Sequence, residues 1–181
     1  FVPTATPTRD PLSFIQEADA LSAEGKYLQA IEAYQGAINV DPHNITNYLK
    51  ISRLQIYTDQ LVLAQVNAQN AILLDNSVSE AYALSGWAKG FQKDYLNGET
   101  DARRAIELDQ NSGFAHAVLA YILALRVEAG LEELDTMDLA IEESRTALAL
   151  EPNLLEAHWA RGYVLEITSN YEDAVAELDT A

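Results

Sequence analysis

A short acidic turn recurs along the chain at a fixed interval, and no other feature narrows the possible folds so far. Val40–Asn44, Leu74–Val78, Leu108–Ser112 and Leu150–Leu154 read VDPHN, LDNSV, LDQNS and LEPNL. Asp41, Asp75 and Asp109 stand 34 residues apart, and Glu151 follows 42 residues after Asp109. Two equal periods and one that is eight residues longer describe an array of like units with one insertion.

Small residues keep the same period. One set is Ala37, Ala71, Ala105, Ala147 and Ala181; a second, seven residues earlier, is Ala30, Ala64, Gly98, Ala140 and Ala174; a third is Ala18, Ser52, Gly86, Ala120 and Gly162. Small side chains at fixed places let two helix backbones approach closely. Large apolar residues recur between them. Phe14, Tyr48 and Tyr82 share one place, taken later by His116 and His158, and Tyr27, Leu61, Tyr95, Met137 and Tyr171 share another. In IEAYQGAINV, Ile31, Tyr34, Ala37 and Ile38 have helical spacing, and strand-type alternation is absent. Gly25, Asp59 and Lys93 fall where a tight turn must join two helices.

The expected units are residues 11–44, 45–78, 79–112, 113–154 and 155–181, the fourth carrying its insertion around Arg126 to Met137 and the fifth incomplete. Residues 1–10 read as a Thr/Pro-rich linker, because proline fixes φ, removes a donor and leaves nothing to bury. Such a linker suits a tether to an upstream anchor or a join between domains, so a cytoplasmic and an extracytoplasmic location stay equally open.

The first unit carries a small residue at place 8, alanine at places 20 and 27 and proline at place 32: Ala18, Ala30, Ala37 and Pro42. In these positions the chain resembles the tetratricopeptide repeat family over about residues 11–181. It departs from the pattern where Asn76 and Gln110 replace the turn proline, where Gly98 replaces alanine and where the two histidines replace a large aromatic residue. The resemblance implies an all-α fold, a right-handed superhelical solenoid of antiparallel helix pairs whose first helices line a concave surface.

By that resemblance, places 2, 5, 9, 12 and 13 of each first helix face the groove, and they do lie on one stripe of a 3.6-residue period. The candidate peptide-binding residues are Arg53, Tyr57, Trp87, Phe91, Phe114, Tyr121, Trp159 and Tyr163. Tryptophan and tyrosine bury large areas with few rotors and so anchor interfaces. The competing reading is that aromatic stripes are core, and it weighs most for Phe91 and Phe114. Arg53, the one cation among these groove positions, is placed to meet a partner's carboxylate or to pair with Asp19. The expected function is a protein–protein interaction scaffold that takes a peptide or protein segment. The alternatives are self-assembly through an uncapped carboxyl-terminal end, giving a homo-oligomer, and a small-molecule or lipid receptor.

The co-chaperone subgroup of the family holds a terminal carboxylate with a clamp of lysine, asparagine and arginine. From repeat one the clamp places hold Ile15, Asp19, Lys50, Glu80 and Leu84. From repeat two they hold Leu49, Arg53, Leu84, Phe114 and Val118, and from repeat three Ala83, Trp87, Val118, Glu156 and Ala160. None supplies the cluster of cations.

Composition excludes other classes. Of 181 residues 49% are hydrophobic and 22% charged, an ordinary globular balance. Lys and Arg number 11 against 28 Asp and Glu, a net charge of −17, so no nucleic-acid partner is expected. By unit, with the linker in the first, the charge runs −4, 0, −2, −6 and −5. That acidic drift reads chiefly as a solvated face, with a basic partner as the alternative. The absence of cysteine removes disulfides, thiol catalysis and zinc–thiolate sites. No apolar run approaches the roughly 18 residues of a membrane span, so no insertion by this stretch is expected. Neither an enzyme nor a cofactor is expected. Neighbouring carboxylates such as Glu132 with Glu133, or Glu142 with Glu143, point in different directions on a helix, and no phosphate loop, HExxH or GxSxG string occurs. The three histidines read as turn or boundary residues rather than metal ligands.

Overall fold

The computed structural model describes residues 9–131 and 133–181. Residues 1–8, which hold most of the expected linker, lie outside the described residues, as does Glu132. The elements are α1 (Pro11–Ala23), α2 (Tyr27–Val40), α3 (Ile45–Tyr57), α4 (Leu61–Leu74), α5 (Ser79–Phe91), α6 (Tyr95–Leu108), α7 (Gly113–Glu128), α8 (Thr136–Leu150), α9 (Leu155–Ile167) and α10 (Tyr171–Thr180). No strand occurs among the described residues. The chain is an all-α solenoid of antiparallel helix pairs, each odd-numbered helix paired with the even-numbered helix that follows it.

The turn inside each pair is a helix stop with one geometry. Gly25, Asp59, Lys93 and Ser169 all have positive φ, between 58° and 73°. The next N–H returns to a carbonyl five residues back: Lys26 to Leu21 at 2.9 Å, Gln60 to Gln55 at 2.7 Å, Asp94 to Lys89 at 3.0 Å and Asn170 to Leu165 at 2.8 Å. This closure satisfies carbonyls that would otherwise end the helix unpaired. Gly25, and Gly130 after α7 with the same closure (Leu131 to Arg126, 2.9 Å), adopt the left-handed conformation without a Cβ penalty, whereas at Asp59, Lys93 and Ser169 the closure and the packing behind it outweigh a backbone cost of about 1–2 kcal/mol.

Small residues set the distance between the two helices of a pair. In the third unit a Cβ on Gly86 would stand 2.7 Å from the Gly98 carbonyl oxygen, and a Cβ on Gly98 would stand 2.9 Å from the Gly86 carbonyl oxygen. The backbones of α5 and α6 therefore touch. In the second unit the equivalent Ser52 turns the close approach into a bond, its hydroxyl donating to the Ala64 carbonyl at 2.8 Å. Ala18, Ala30, Ala64, Ala120 and Ala140 are fully buried at the same places.

The eight additional residues of the fourth unit are spread over three elements. Compared with the third unit, α7 gains three residues, the connection (129–135) gains four and α8 gains one. Arg126, buried near the end of α7, fastens this longer connection. It pairs with Glu99 of α6 and, at 3.3 Å, with Glu133, and it donates to the Leu131 carbonyl. The guanidinium thus supplies donors to a backbone that leaves the regular turn.

His116 and His158 take over a tyrosine's task. Tyr48 donates its hydroxyl to the carbonyl of Pro42 in the preceding turn at 3.1 Å. At the same place His116 sets Nε2 against the Gln110 carbonyl (3.2 Å) and Nδ1 against Glu143 Oε2 (2.5 Å). His158 does likewise with Pro152 (2.9 Å) and Glu177 (2.7 Å). Both nitrogens of each ring face acceptors, an arrangement that the doubly protonated ring satisfies completely. The bond to Glu143 raises the His116 pKa above its ordinary value. Among the described residues no three His, Asp or Glu side chains are grouped so as to hold a metal ion.

Gly86→Ala tests the close approach. Added helix propensity would contribute about 1 kcal/mol, but the new Cβ meets backbone at 2.7 Å and overpacking of this kind costs about 1–3 kcal/mol. We expect a net loss on the order of 1 kcal/mol in urea unfolding. An unfolding midpoint at or above that of the parent would show that α5 and α6 part without cost.

Candidate functional site

The first helices of units two to five, α3, α5, α7 and α9, carry the stripe of rings on the inner wall. The rings meet one another. Tyr57 lies 6.0 Å from Trp87 and 5.7 Å from Trp159, both edge-on. Trp87 lies 5.8 Å from Phe114 and 6.0 Å from Phe91. Phe91 contacts Tyr121 at 5.3 Å, and Tyr121 stacks on Tyr163 at 4.7 Å. Tyr27 extends the row to the second helix of unit one, 5.9 Å from Tyr57. Such edge-on and offset contacts add to what area burial alone supplies.

The contact between Tyr57 and Trp159 joins units two and five, so the array curls far enough for α3 to meet α9. Arg53 fixes that meeting. Its guanidinium pairs with Glu156 of α9 and, at 2.9 Å, with Glu80 of α5, and it lies 4.1 Å over the Phe114 ring. Tyr57 donates to the same Glu156 oxygen, Oε1, at 2.7 Å. Glu156 is only 4% exposed. Burial alone would lower the Arg53 pKa, but the charges of Glu156 and Glu80 more than offset that and hold it above its ordinary value. Burial, with Glu156 beside it, pushes the Tyr57 pKa up, so the phenol stays a donor. Arg53 does not pair with Asp19. That carboxylate is taken by Tyr34 and Lys50.

Beyond this bridge the wall opens into a hollow of about 300 Å³, lined by Trp87, Phe91, Ala117, Val118, Tyr121, Glu156, Trp159, Tyr163, Glu166 and Leu178. Of the eight candidate residues, Trp87, Phe91, Tyr121, Trp159 and Tyr163 line it. Trp87 does so from depth, being 3% exposed, and Phe114 is buried behind Trp87 under the Arg53 guanidinium. Arg53 and Tyr57 stand at its end, engaged with Glu156. Glu156 and Glu166 occupy inner-wall places too, but a reading that looked for anchoring rings passed over them. Leu178 belongs to a second helix, so no inner-wall place could have flagged it.

Residues 13–44 match the family model described as Tetratricopeptide repeat. The chain is 27% identical over 105 residues to RNA polymerase II-associated protein 3 of Xenopus laevis; the match spans 58% of this chain and 16% of that protein's length. The fold is similar to that of TTC0263, a thermophilic TPR protein in Thermus thermophilus, with a TM-score of 0.75 and 16% identity over 92% of this chain and 87% of that one. It is also similar to the first TPR of Spaghetti (RPAP3) bound to HSP90 peptide SRMEEVD, with a TM-score of 0.61 and 21% identity over 70% of this chain and 98% of that one. The class these features define is the helical-repeat interaction scaffold. Within it, residues 13–44 match the tetratricopeptide repeat model, and the fold of the whole array is similar to that of TPR proteins.

Arg53→Leu would leave Glu156 buried with no cation, at a cost of about 3–5 kcal/mol. Replacing Arg53 and Glu156 together by leucine removes the uncompensated charge and should recover much of that loss in chemical unfolding. Equal losses in the single and double variants would mean that the α3–α9 bridge does not hold the curl.

Proposed function

We propose that this tetratricopeptide array binds an extended peptide segment of a protein partner along its inner wall, and that the ring-lined hollow between α5, α7 and α9 holds the anchoring side chain. The observation that carries the reading is that hollow, walled by five aromatic side chains brought together from three helices. Large rings supply area with little loss of rotor entropy, which suits an anchor pocket. The candidate residues divide by position. Phe91, Tyr121, Trp159 and Tyr163 present surface to the ligand, while Arg53, Tyr57, Trp87 and Phe114 hold the wall in place behind them. The chain performs no chemistry in this reading, and its net charge of −17 disfavours nucleic acid as the partner. Among the described residues no helix is long and apolar enough to cross a membrane.

Peptides selected from a random display library against the protein supply the test. Tyr121→Ala with Tyr163→Ala should weaken the selected peptides at least about tenfold, as loss of central ring anchors does, while the helical circular dichroism is retained. Undiminished affinity in a folded double variant would remove the groove from the account.

One observation favours self-association as a second activity. Tyr171, Val175 and Leu178 form an apolar stripe on α10 and are 62%, 57% and 44% exposed. The corresponding α2 residues Tyr27, Ile31 and Tyr34 all pack in the core. A second copy laid against α10 would cover the stripe. Static light scattering should then report about twice the 19.9 kDa chain mass at high concentration, reverting to the monomer in Val175→Glu. A strict monomer at all concentrations ends this reading.

A further inference from the structure

The hollow is acidic as well as aromatic, and among the described residues no cation lines it. Glu156 and Glu166 are the two charged side chains in its lining. Glu166 is exposed and makes no ion pair among the described residues. Glu156 is buried, and both of its partners, Arg53 and Tyr57, reach Oε1; Oε2 takes no hydrogen bond from the described residues. A third carboxylate, Glu128, accepts the Tyr163 hydroxyl at 2.5 Å. Burial, then Glu128 and Glu166, raise the Tyr121 pKa, and Glu128 raises that of Tyr163 beyond what burial does, so both rings feel the negative field of this corner. The one nearby guanidinium, Arg53, is shared between Glu156 and Glu80, which leaves that trio of charges net negative.

Ring faces carry the negative part of the aromatic quadrupole and attract cations within about 6 Å, more strongly where water is excluded. The fold already shows this chemistry with its own residue, since Arg53 lies 4.1 Å over Phe114 at the end of the same wall. A neutral apolar side chain entering the hollow would take water from Glu156 Oε2 without supplying a donor, which costs free energy. A guanidinium or ammonium gives that oxygen its donor, meets Glu166 at the rim and lies against the rings. Resting on the groove reading above, we infer that the anchor residue of the bound segment is an arginine or lysine, taken between the Tyr121, Trp159 and Tyr163 rings and the Glu156 and Glu166 carboxylates. The partner is then a basic peptide segment, opposite in charge to the HSP90 peptide SRMEEVD bound to the structurally similar first TPR of Spaghetti (RPAP3).

Both tryptophans of the chain, Trp87 and Trp159, line the hollow, so their fluorescence reports its occupation. The probes are capped pentapeptides, acetyl-Ala-Leu-X-Leu-Ala-amide, with X arginine, lysine, citrulline or glutamate. Citrulline keeps the shape of arginine and removes its charge. The arginine peptide should bind at least about tenfold more tightly than the citrulline peptide, the advantage shrinking as salt rises from 0.05 to about 0.5 M, where screening shortens the reach of exposed charges. Glu166→Gln, at an exposed position, should cut that advantage to about threefold or less. Equal affinity for arginine and citrulline overturns the cation site, as does an advantage that Glu166→Gln leaves intact, and so does an absence of quenching by every peptide up to millimolar concentration. None of these outcomes touches the groove reading, which stands or falls with display-selected peptides and the Tyr121→Ala/Tyr163→Ala variant.

Discussion

The structure depends first on how closely two helix backbones can lie. At Gly86 and Gly98 the closest atoms across the α5–α6 crossing are main-chain atoms, leaving no room for a Cβ. Alanine or serine at the same places elsewhere gives a slightly wider version of the same contact. That spacing fixes the tilt of each pair against the next, because ridges of one helix must settle in grooves of its neighbour. The repeated tilt is what bends the stack. A side chain larger than serine at these places would change the spacing and, with it, the curvature on which every inner-wall distance rests.

Curvature brings together residues that the sequence keeps far apart. Arg53 and Glu156 are separated by 103 positions and three intervening helix pairs or parts of pairs, yet they form an ion pair. The pair is partly buried, so its worth for stability is modest after desolvation, and its main effect is on geometry. It pins α3 to α9 and closes the wall at one end, while Phe114 supports the guanidinium from behind. The rings beyond it rest on one another rather than standing apart. The hollow is therefore walled before any ligand arrives, which lowers the ordering cost of binding.

Periodicity made the helix pairs, the small residues at their crossings and the inter-helix turns legible in the sequence, because each is a local property that repeats. The site was legible only as a set of places on one face. Its depth was not: Trp87 and Phe91 occupy neighbouring inner-wall places, but the first is almost wholly enclosed and the second half-buried, according to how near α7 and α9 come. The engagement of Arg53 was hidden for the same reason, since proximity across the curl leaves no trace in spacing. The histidines illustrate the converse. At the place held by Phe14, Tyr48 and Tyr82 in the earlier units, a ring with two nitrogens keeps the bond that Tyr48 makes to the preceding turn and adds one to the paired helix. The eight-residue insertion was legible in total, whereas its division among α7, the connection and α8 follows from where Arg126 finds acceptors.

The outer faces of α1 and α10 differ in chemistry. On α3 and α7 the face turned to the preceding unit carries Ile51 with Leu54 and Leu119 with Ile122, all buried. The same places on α1 hold Glu17 and Ala20, which are exposed. Stacking α1 of one copy on α10 of another would bury the exposed Arg9–Glu17 ion pair against Tyr171 and Val175, at a desolvation cost. Contact of α10 with α10 buries two apolar stripes and leaves Glu172, Asp173 and Asp179 at the rim, where water and salt reduce their repulsion. The α10–α10 contact proposed above would cover Leu178, which also lines the hollow, so pairing of two copies and occupation of the hollow would compete there.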